Sequence, residues 1–471
     1  MTWYFVPRML SAFIAIVILI VMTRVLGAAD FGRYNLTLLS GMLLFSFTFQ
    51  WLAISIGRFH HAPEFEGQTI ATVLGASALL GVFLLCLVGL VRMVLPAEWV
   101  SSFFLAVVFC TSHAMYELGT VCLRQYNEGP KFAAVTLLRQ ALGVSLAVTF
   151  VVYGGGYASA VIGMSMGAAI TGAYALVIAL RRSGIVVPSR GALRTYFRFG
   201  FPLAVVSSSA SFFAMSSQSL LAFFAGMDAA GYFAAAQTLA SKALKLPMTT
   251  LSRVVAPSVF EAHETNGLRS SDAVLERYFS FLVLISMPIV VALVFAADVF
   301  THLLFEQSFA DETALYLRLL SPAAFIVGLQ GAYFSYAFMR SKKTGLQLGI
   351  SVASLVVHAL LSLVTIYLFG ASGAPIAFLI SGVVSFVAYY YIGRKVDPLR
   401  VSTTELKYGV LGAIAYAPFC ISAGMSANLT LQLALLAAGL MFMFWVLVLL
   451  GQVAAVVVWR RAREFVSWAK T

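Results

Sequence analysis

Fourteen stretches of about 20 predominantly apolar residues, separated by short polar breaks, run through this chain. A helix of that length spans the roughly 30 Å hydrocarbon core of a bilayer at about 1.5 Å per residue. Within lipid a backbone must satisfy its own N–H and C=O groups, so runs of this length are compatible with helices and with little else. The runs fall near 8–26, 36–57, 69–95, 101–122, 132–153, 158–180, 200–224, 233–257, 279–298, 314–338, 345–369, 373–393, 408–425 and 430–458. Hydrophobic residues make up 61% of the chain and charged residues 10%, which excludes an ordinary soluble domain. The expected class is an all-α polytopic membrane protein. The first run is expected to be a span rather than a cleaved signal peptide, because it is long for a signal core, carries Arg24 near its end and is followed by many more spans.

The net charge of +12 would suggest nucleic acid in a soluble protein. Here the basic residues form no continuous face, and the Lys/Arg bias of cytoplasmic loops explains them, so no nucleic acid partner is expected. With the N-terminus in the cytoplasm, every second connection is basic. Arg58, Arg124 and Lys131 lie inside, then Arg181, Arg182, Arg190, Arg194 and Arg198, then Arg340, Lys342, Lys343, Arg394 and Lys395, and the tail cations Arg460, Arg461, Arg463 and Lys470. Outer connections are short and hold acids such as Asp30, Asp228 and Asp311. Both termini are therefore placed in the cytoplasm. Outer connections of roughly fifteen residues or fewer leave no room for an extracellular catalytic domain, and no phosphate-binding loop motif is present, so the chain reads as a non-enzyme. Four cysteines fall in or beside apolar runs without metal-ligand spacing and read as small buried residues. His60 and His61 with Glu64 and Glu66 lack a complete ligand set and read as a loop surface. Neither a metal nor a cofactor is expected.

Between the first two runs, Gly27 and Gly32 lie five residues apart with Asp30 between them and Tyr34 after them. The pattern returns 199 residues later as Gly226, Asp228, Gly231 and Tyr232, with Phe223 where the first copy has Arg24. An offset that carries six spans keeps both copies in the same orientation. Parallel repeats of six helices predict two lobes related by a pseudo-twofold axis along the membrane normal, with a transport site between them. The predicted organisation is an N-lobe at 1–182 with helices 1–6, a cytoplasmic linker at 183–199, a C-lobe at 200–394 with helices 7–12, and 395–471 holding two extra C-terminal helices and a cytoplasmic tail.

Ionisable groups inside a membrane cost roughly 2.5–3.5 kcal/mol at a helix centre, so each implies a partner, a water-filled cavity or a ligand. Arg139, Lys242 and Lys245 lie well inside runs, and Arg24, Arg253 and Arg318 lie nearer the ends, against one clearly intramembrane carboxylate, Glu117. On an ideal helix Lys242 and Arg253 project about 20° apart and Lys245 about 60° away, a basic track rising about 16 Å and interrupted by Pro247. The alternatives are snorkelling lysines, headgroup-level arginines and an Arg139–Glu117 ion pair. An excess of buried cations favours an anionic ligand, and arginine's fork of donors suits phosphate. Glu117 is either an ion-coupling group or the counter-charge of Arg139.

The Thr23-Arg24-Val25-Leu26-Gly27 and Phe31-Gly32-Arg33-Tyr34 segments, with Trp51, the closing Arg58-Phe59, the Gly226–Tyr232 turn and Ala256-Pro257-Ser258, resemble one family. The chain resembles the oligosaccharide flippases of the polysaccharide-transporter branch of the multidrug/oligosaccharidyl-lipid/polysaccharide exporter superfamily. The resemblance implies two six-helix lobes around a cationic cavity with alternating access, and undecaprenyl-pyrophosphate-linked oligosaccharide as cargo, flipped across the bacterial inner membrane for surface or exopolysaccharide synthesis. It carries Arg24 and Arg58 over as substrate-binding residues; Arg139, Lys242, Lys245 and Arg253 join them from the charge argument alone. Membrane lipids, a polysaccharide polymerase and glycosyltransferases are the further implied partners. The alternative is a cation-coupled drug or small-molecule antiporter of the same superfamily, a branch that favours membrane carboxylates; this chain has one.

Overall fold

The computed structural model describes residues 2–60, 68–94, 96–341, 343–399, 401, 403–426 and 428–449, and among them every regular element is helical. His61, Glu64, Glu66, Lys342 and the tail cations lie outside the described residues. By its internal contacts the chain divides into two compact units, Met1–Ala234 and Ala235–Thr471. The first contains α1 (Thr2–Thr48), α2 (Gln50–Phe59), α3 (Thr69–Val94), α4 (Ala97–Gln125), α5 (Gly129–Val152), α6 (Tyr157–Ser183), α7 (Arg190–Ala225) and the start of α8 (Met227–Ala240). The second continues through a π-helical segment Ser241–Lys245 and α9 (Leu246–Phe295), α10 (Ala297–Leu304) and α11 (Gln307–Leu329). It ends with a second π segment Gln330–Phe334, α12 (Ser335–Arg340), α13 (Thr344–Phe369), α14 (Gly373–Val396), α15 (Thr403–Met425) and α16 (Leu429–Leu449).

The repeated glycine motif makes the same turn twice. Gly27 breaks α1 with φ 69° and ψ 178°, and Gly226 separates α7 from α8 with φ 92° and ψ 168°, both in a region that a side chain resists. The later glycine of each copy serves a different purpose. A Cβ on Gly32 would lie 2.4 Å from the Met227 carbonyl oxygen, and one on Gly231 would lie 2.1 Å from the Ala28 carbonyl oxygen. The two copies therefore pack backbone to backbone inside the first unit, each supplying the gap that the other fills. Close approach recurs where α5 meets α6: a Cβ on Gly163 would lie 2.3 Å from the Ala147 nitrogen.

The core of the first unit is apolar and mixed in origin, with Phe49, Leu52, Ile56, Ile70, Val73, Cys110 and Tyr196 buried together. That of the second is aromatic, built on Tyr278, Phe279, Tyr333, Tyr336, Phe338 and Tyr389. The added helices α15 and α16 pack on the second half of α9, where Tyr416, Cys420 and Leu436 bury against Val291 and Ala292. Cys86 departs from expectation: it is exposed, while Cys110, Cys122 and Cys420 are buried.

Among the described residues helix covers the fourteen apolar runs apart from turns at Phe49 and Tyr153 and a bend at Ala296, yet ten helices there are long and apolar enough to cross a membrane, or eleven if bent α7 counts as one span. Three of the ten are long, Ile14–Thr48 with 35 residues, Gln307–Arg340 with 34 and Gly345–Val396 with 52. The stretch from Met227 to Gly267 fails that test where it carries Lys242 and Lys245. A count of fourteen crossings thus requires bent α7 as one span, breaks at Gly27 and Gly370, and a crossing by this charged stretch. α7 bends by 50° between Arg190–Ser208 and Ser211–Ala225. There Ser207 donates back to the Leu203 carbonyl at 2.7 Å, a bond that loosens the helical ladder.

Candidate functional site

One face of α4 carries His113, Glu117, Val121 and Arg124, which helical steps of about 100° hold within about 80° of one another. All four line a cavity of 510 Å³ inside the first unit, closed by residues of α1, α2 and α7. Its walls are mixed: Met42, Phe45, Ala53 and Ile54 are apolar, while Gln50, Gln125 and four serines are polar. The opposite wall is tied by Ser208, whose hydroxyl lies 2.6 Å from Ser46 Oγ and 2.9 Å from Gln50 Oε1. Ser46 in turn donates to the Met42 carbonyl at 2.9 Å, so this wall is held in place by side-chain bonds between α1, α2 and α7. Glu117 lines the cavity with no ion pair among the described residues.

Arg139 does not meet Glu117. From α5 its guanidinium donates to His113 Nδ1 at 3.1 Å and stands over the Tyr116 ring, 4.2 Å from the centroid. A guanidinium can only donate, so Nδ1 of His113 holds a lone pair and the ring is neutral, with its proton on Nε2. His113 is locked further by Phe45, edge-on with centroids 4.7 Å apart, and by Phe109 stacked at 5.8 Å. The expected pairing of Arg139 with Glu117 is therefore replaced by an arginine backing a cavity histidine. That histidine was missed in the sequence because a lone His in an apolar run usually reads as core; its spacing of four from Glu117 was the available signal. Arg124 was assigned to the cytoplasmic surface, and the structure places it in the cavity wall as well, over the Phe132 ring at 5.9 Å.

Lys242 and Lys245 lie in the second unit, half-buried, within the π-helical segment Ser241–Lys245. Pro247 follows at the start of α9 and has no N–H to give the preceding turn, which accounts for the local widening. The wider turn invalidates the angles derived from a continuous α-helix, so the basic track of Lys242, Lys245 and Arg253 is not a straight stripe. Neither lysine has a carboxylate within ion-pair distance among the described residues. The Arg253 side chain lies outside what is described. Arg24, one turn before Gly27, and Arg58, in the last turn of α2, are both exposed, and neither lines the cavity, although Gly57 does.

Two cations proved structural. Arg318 pairs with Asp298. Arg340, taken from the sequence as a loop cation, is buried and makes four hydrogen bonds: Nε and Nη2 donate to the two oxygens of Asp397 at 2.7 and 2.9 Å, and Nη1 to Asp272 at 2.8 Å and Ser271 at 2.9 Å.

A family model described as polysaccharide biosynthesis protein matches residues 1–263, more than half of the chain. The chain belongs to that family. Among solved structures it is similar to the lipid II flippase MurJ in an inward closed conformation, with a TM-score of 0.74 at 11% identity over 93% of this chain and 96% of that one. It is also similar to a multidrug resistance MATE family transporter of the MOP superfamily in an inward-facing conformation, with a TM-score of 0.59 at 17% identity over 82% and 94%. A third is a MOP superfamily transporter from Pyrococcus furiosus described by the reverse polarity of its binding pocket, with a TM-score of 0.52 at 16% identity over 83% and 93%. At these identities the likeness is one of fold. No curated protein sequence matches the chain. The protein is thus a multi-pass α-helical membrane member of the polysaccharide biosynthesis family with the fold shared by MurJ and MATE transporters.

Proposed function

We propose that this protein flips an undecaprenyl-pyrophosphate-linked oligosaccharide from the cytoplasmic to the outer leaflet of the bacterial inner membrane by alternating access. Its role would be to supply surface or exopolysaccharide synthesis, with both termini in the cytoplasm and a polymerase and glycosyltransferases as partners. The observation that carries this reading is the pair Lys242 and Lys245, held in a π-helical turn with no carboxylate to neutralise them among the described residues. Half-buried ammonium groups without a counter-ion are stabilised by an anionic ligand, and a pyrophosphate on a lipid is one that enters from the bilayer side. Arg24, Arg58, Arg139 and Arg253 are the further proposed cationic contacts, acting directly or, for Arg139, through His113. Family membership in polysaccharide biosynthesis and a transporter fold support the cargo class.

The test is the Lys242→Ala/Lys245→Ala double variant, expressed in a strain lacking the native gene, with surface polysaccharide as readout. Polymer is expected to fall at least tenfold at unchanged protein level, each lost charge-assisted contact being worth roughly 1.5–3 kcal/mol. Unchanged polymer removes the lysines from the mechanism. The second reading, a cation-coupled antiporter of drugs or other small molecules, is favoured by one observation, the cavity carboxylate Glu117 without an ion pair among the described residues. Deletion that leaves drug susceptibility unchanged while abolishing polysaccharide excludes it.

A further inference from the structure

The cavity of the first unit is chemically unlike a phosphate site. Arg124 and Glu117 are its two formally charged lining groups, one of each sign, so they cancel. A pyrophosphate or a run of uronic acids gathers several cations; here a carboxylate faces the same space, and it lacks an ion pair among the described residues. A carboxylate accepts through two oxygens and donates nothing, so a ligand that satisfies it must bring O–H or N–H groups. The remaining wall offers both roles at once: the Gln50 and Gln125 amides donate and accept, as do the serine hydroxyls, and Arg124 donates. Met42, Phe45 and Ile54 add apolar surface beside these polar groups. The volume of 510 Å³ falls within the size range of small-molecule sites.

We infer that this cavity is the sugar-selecting subsite of the transporter, and that it takes uncharged or amino-substituted sugar rings, with Glu117 accepting from their hydroxyl or amide groups and disfavouring uronic acids. The inference rests on the flippase reading, but separates from it by location: the proposed phosphate contacts Lys242 and Lys245 lie in the second unit, and the proposed sugar contacts lie in the first. His113 is a positioning residue here, since Arg139 fixes its tautomer and so keeps an N–H, rather than a second charge, beside Glu117.

The experiment measures binding to the full-length protein in detergent by calorimetry, with three probes: farnesyl pyrophosphate, farnesyl pyrophosphate carrying N-acetylglucosamine, and farnesyl pyrophosphate carrying glucuronic acid. Methyl N-acetylglucosaminide and methyl glucuronide at millimolar concentration form a fourth, phosphate-free arm. The expected result is that N-acetylglucosamine strengthens binding about tenfold over farnesyl pyrophosphate alone and glucuronic acid does not, because a site built around hydrogen-bond partners rejects a ligand that leaves them opposed. Glu117→Gln is expected to erase the difference between the two sugars while leaving farnesyl pyrophosphate unchanged. Equal binding of the two sugars by the wild-type protein overturns the inference, as does a neutral-sugar preference that survives Glu117→Gln. Should Glu117→Gln not fold, Gln125→Leu replaces it and is expected to weaken the N-acetylglucosamine probe alone; an unweakened probe overturns the inference. Failure of farnesyl pyrophosphate to bind speaks against the flippase reading and leaves the methyl glycoside arm to decide the sugar subsite.

Discussion

Arg340 shows what a single residue conceals in a membrane sequence. Its position in a basic loop made it look like one more cytoplasmic charge, yet Asp272 and Asp397, 68 and 57 residues distant, close on it from both sides. Those separations are invisible to spacing rules, which read neighbours along one helix. Its burial predicts a large effect, because removing one partner leaves the others charged and desolvated. Arg340→Ala is expected to lose about 3–5 kcal/mol, read by unfolding of the detergent-solubilised protein in increasing dodecyl sulfate. Replacing all three ions by leucine or methionine of similar volume is expected to recover most of that loss, since a buried ion cluster offsets little more than its own desolvation. A loss below about 0.5 kcal/mol in the single variant, the range of an ordinary surface change, would show that the cluster is open to water in solution. Arg139 carries the same lesson in milder form: the sequence placed this cation inside an apolar run, where it is half-buried, but the partner is His113, not the more obvious Glu117.

At the scale of elements, helices were legible almost everywhere because apolar runs and glycine breaks are local signals, and Gly27 and Gly226 do turn the chain as their repetition implied. What the repetition could not convey is that the two turns touch. Gly32 and Gly231 are needed for that contact, as each stands where a methyl group would meet the other copy's backbone. Gly32→Ala or Gly231→Ala is therefore expected to destabilise the first unit by about 1–3 kcal/mol, the usual cost of forcing an extra group into a packed interface. The double variant is expected to lose less than the sum, because one displacement of α1 from α8 relieves both clashes. Thermal unfolding midpoints of the three variants check this, and strict additivity would separate the two sites. The π-helical turn before Pro247 was legible only in part: proline announced a disturbance, but a widened turn rather than a simple kink is what alters the directions of Lys242 and Lys245.

For the whole molecule, the open quantity is how often the chain crosses the bilayer, and one stretch decides it. Met227 to Gly267 is helical throughout its described length but carries two lysines that depress its hydropathy below that of the ten spans. Charge distribution and the return of the turn motif after an even number of spans predict Asp228 outside and Arg269 inside, an arrangement that requires this stretch to cross. If instead it lies along the surface, both positions face the same side and every later helix reverses. Asp228→Cys and Arg269→Cys distinguish the two in intact cells treated with a membrane-impermeant maleimide, with Cys86 replaced because it is the exposed native thiol. The crossing predicts labelling of Asp228→Cys before permeabilisation and of Arg269→Cys only after it. Labelling of both from one side would take Lys242 and Lys245 out of the membrane interior, and with them the reason to assign them a buried anionic ligand.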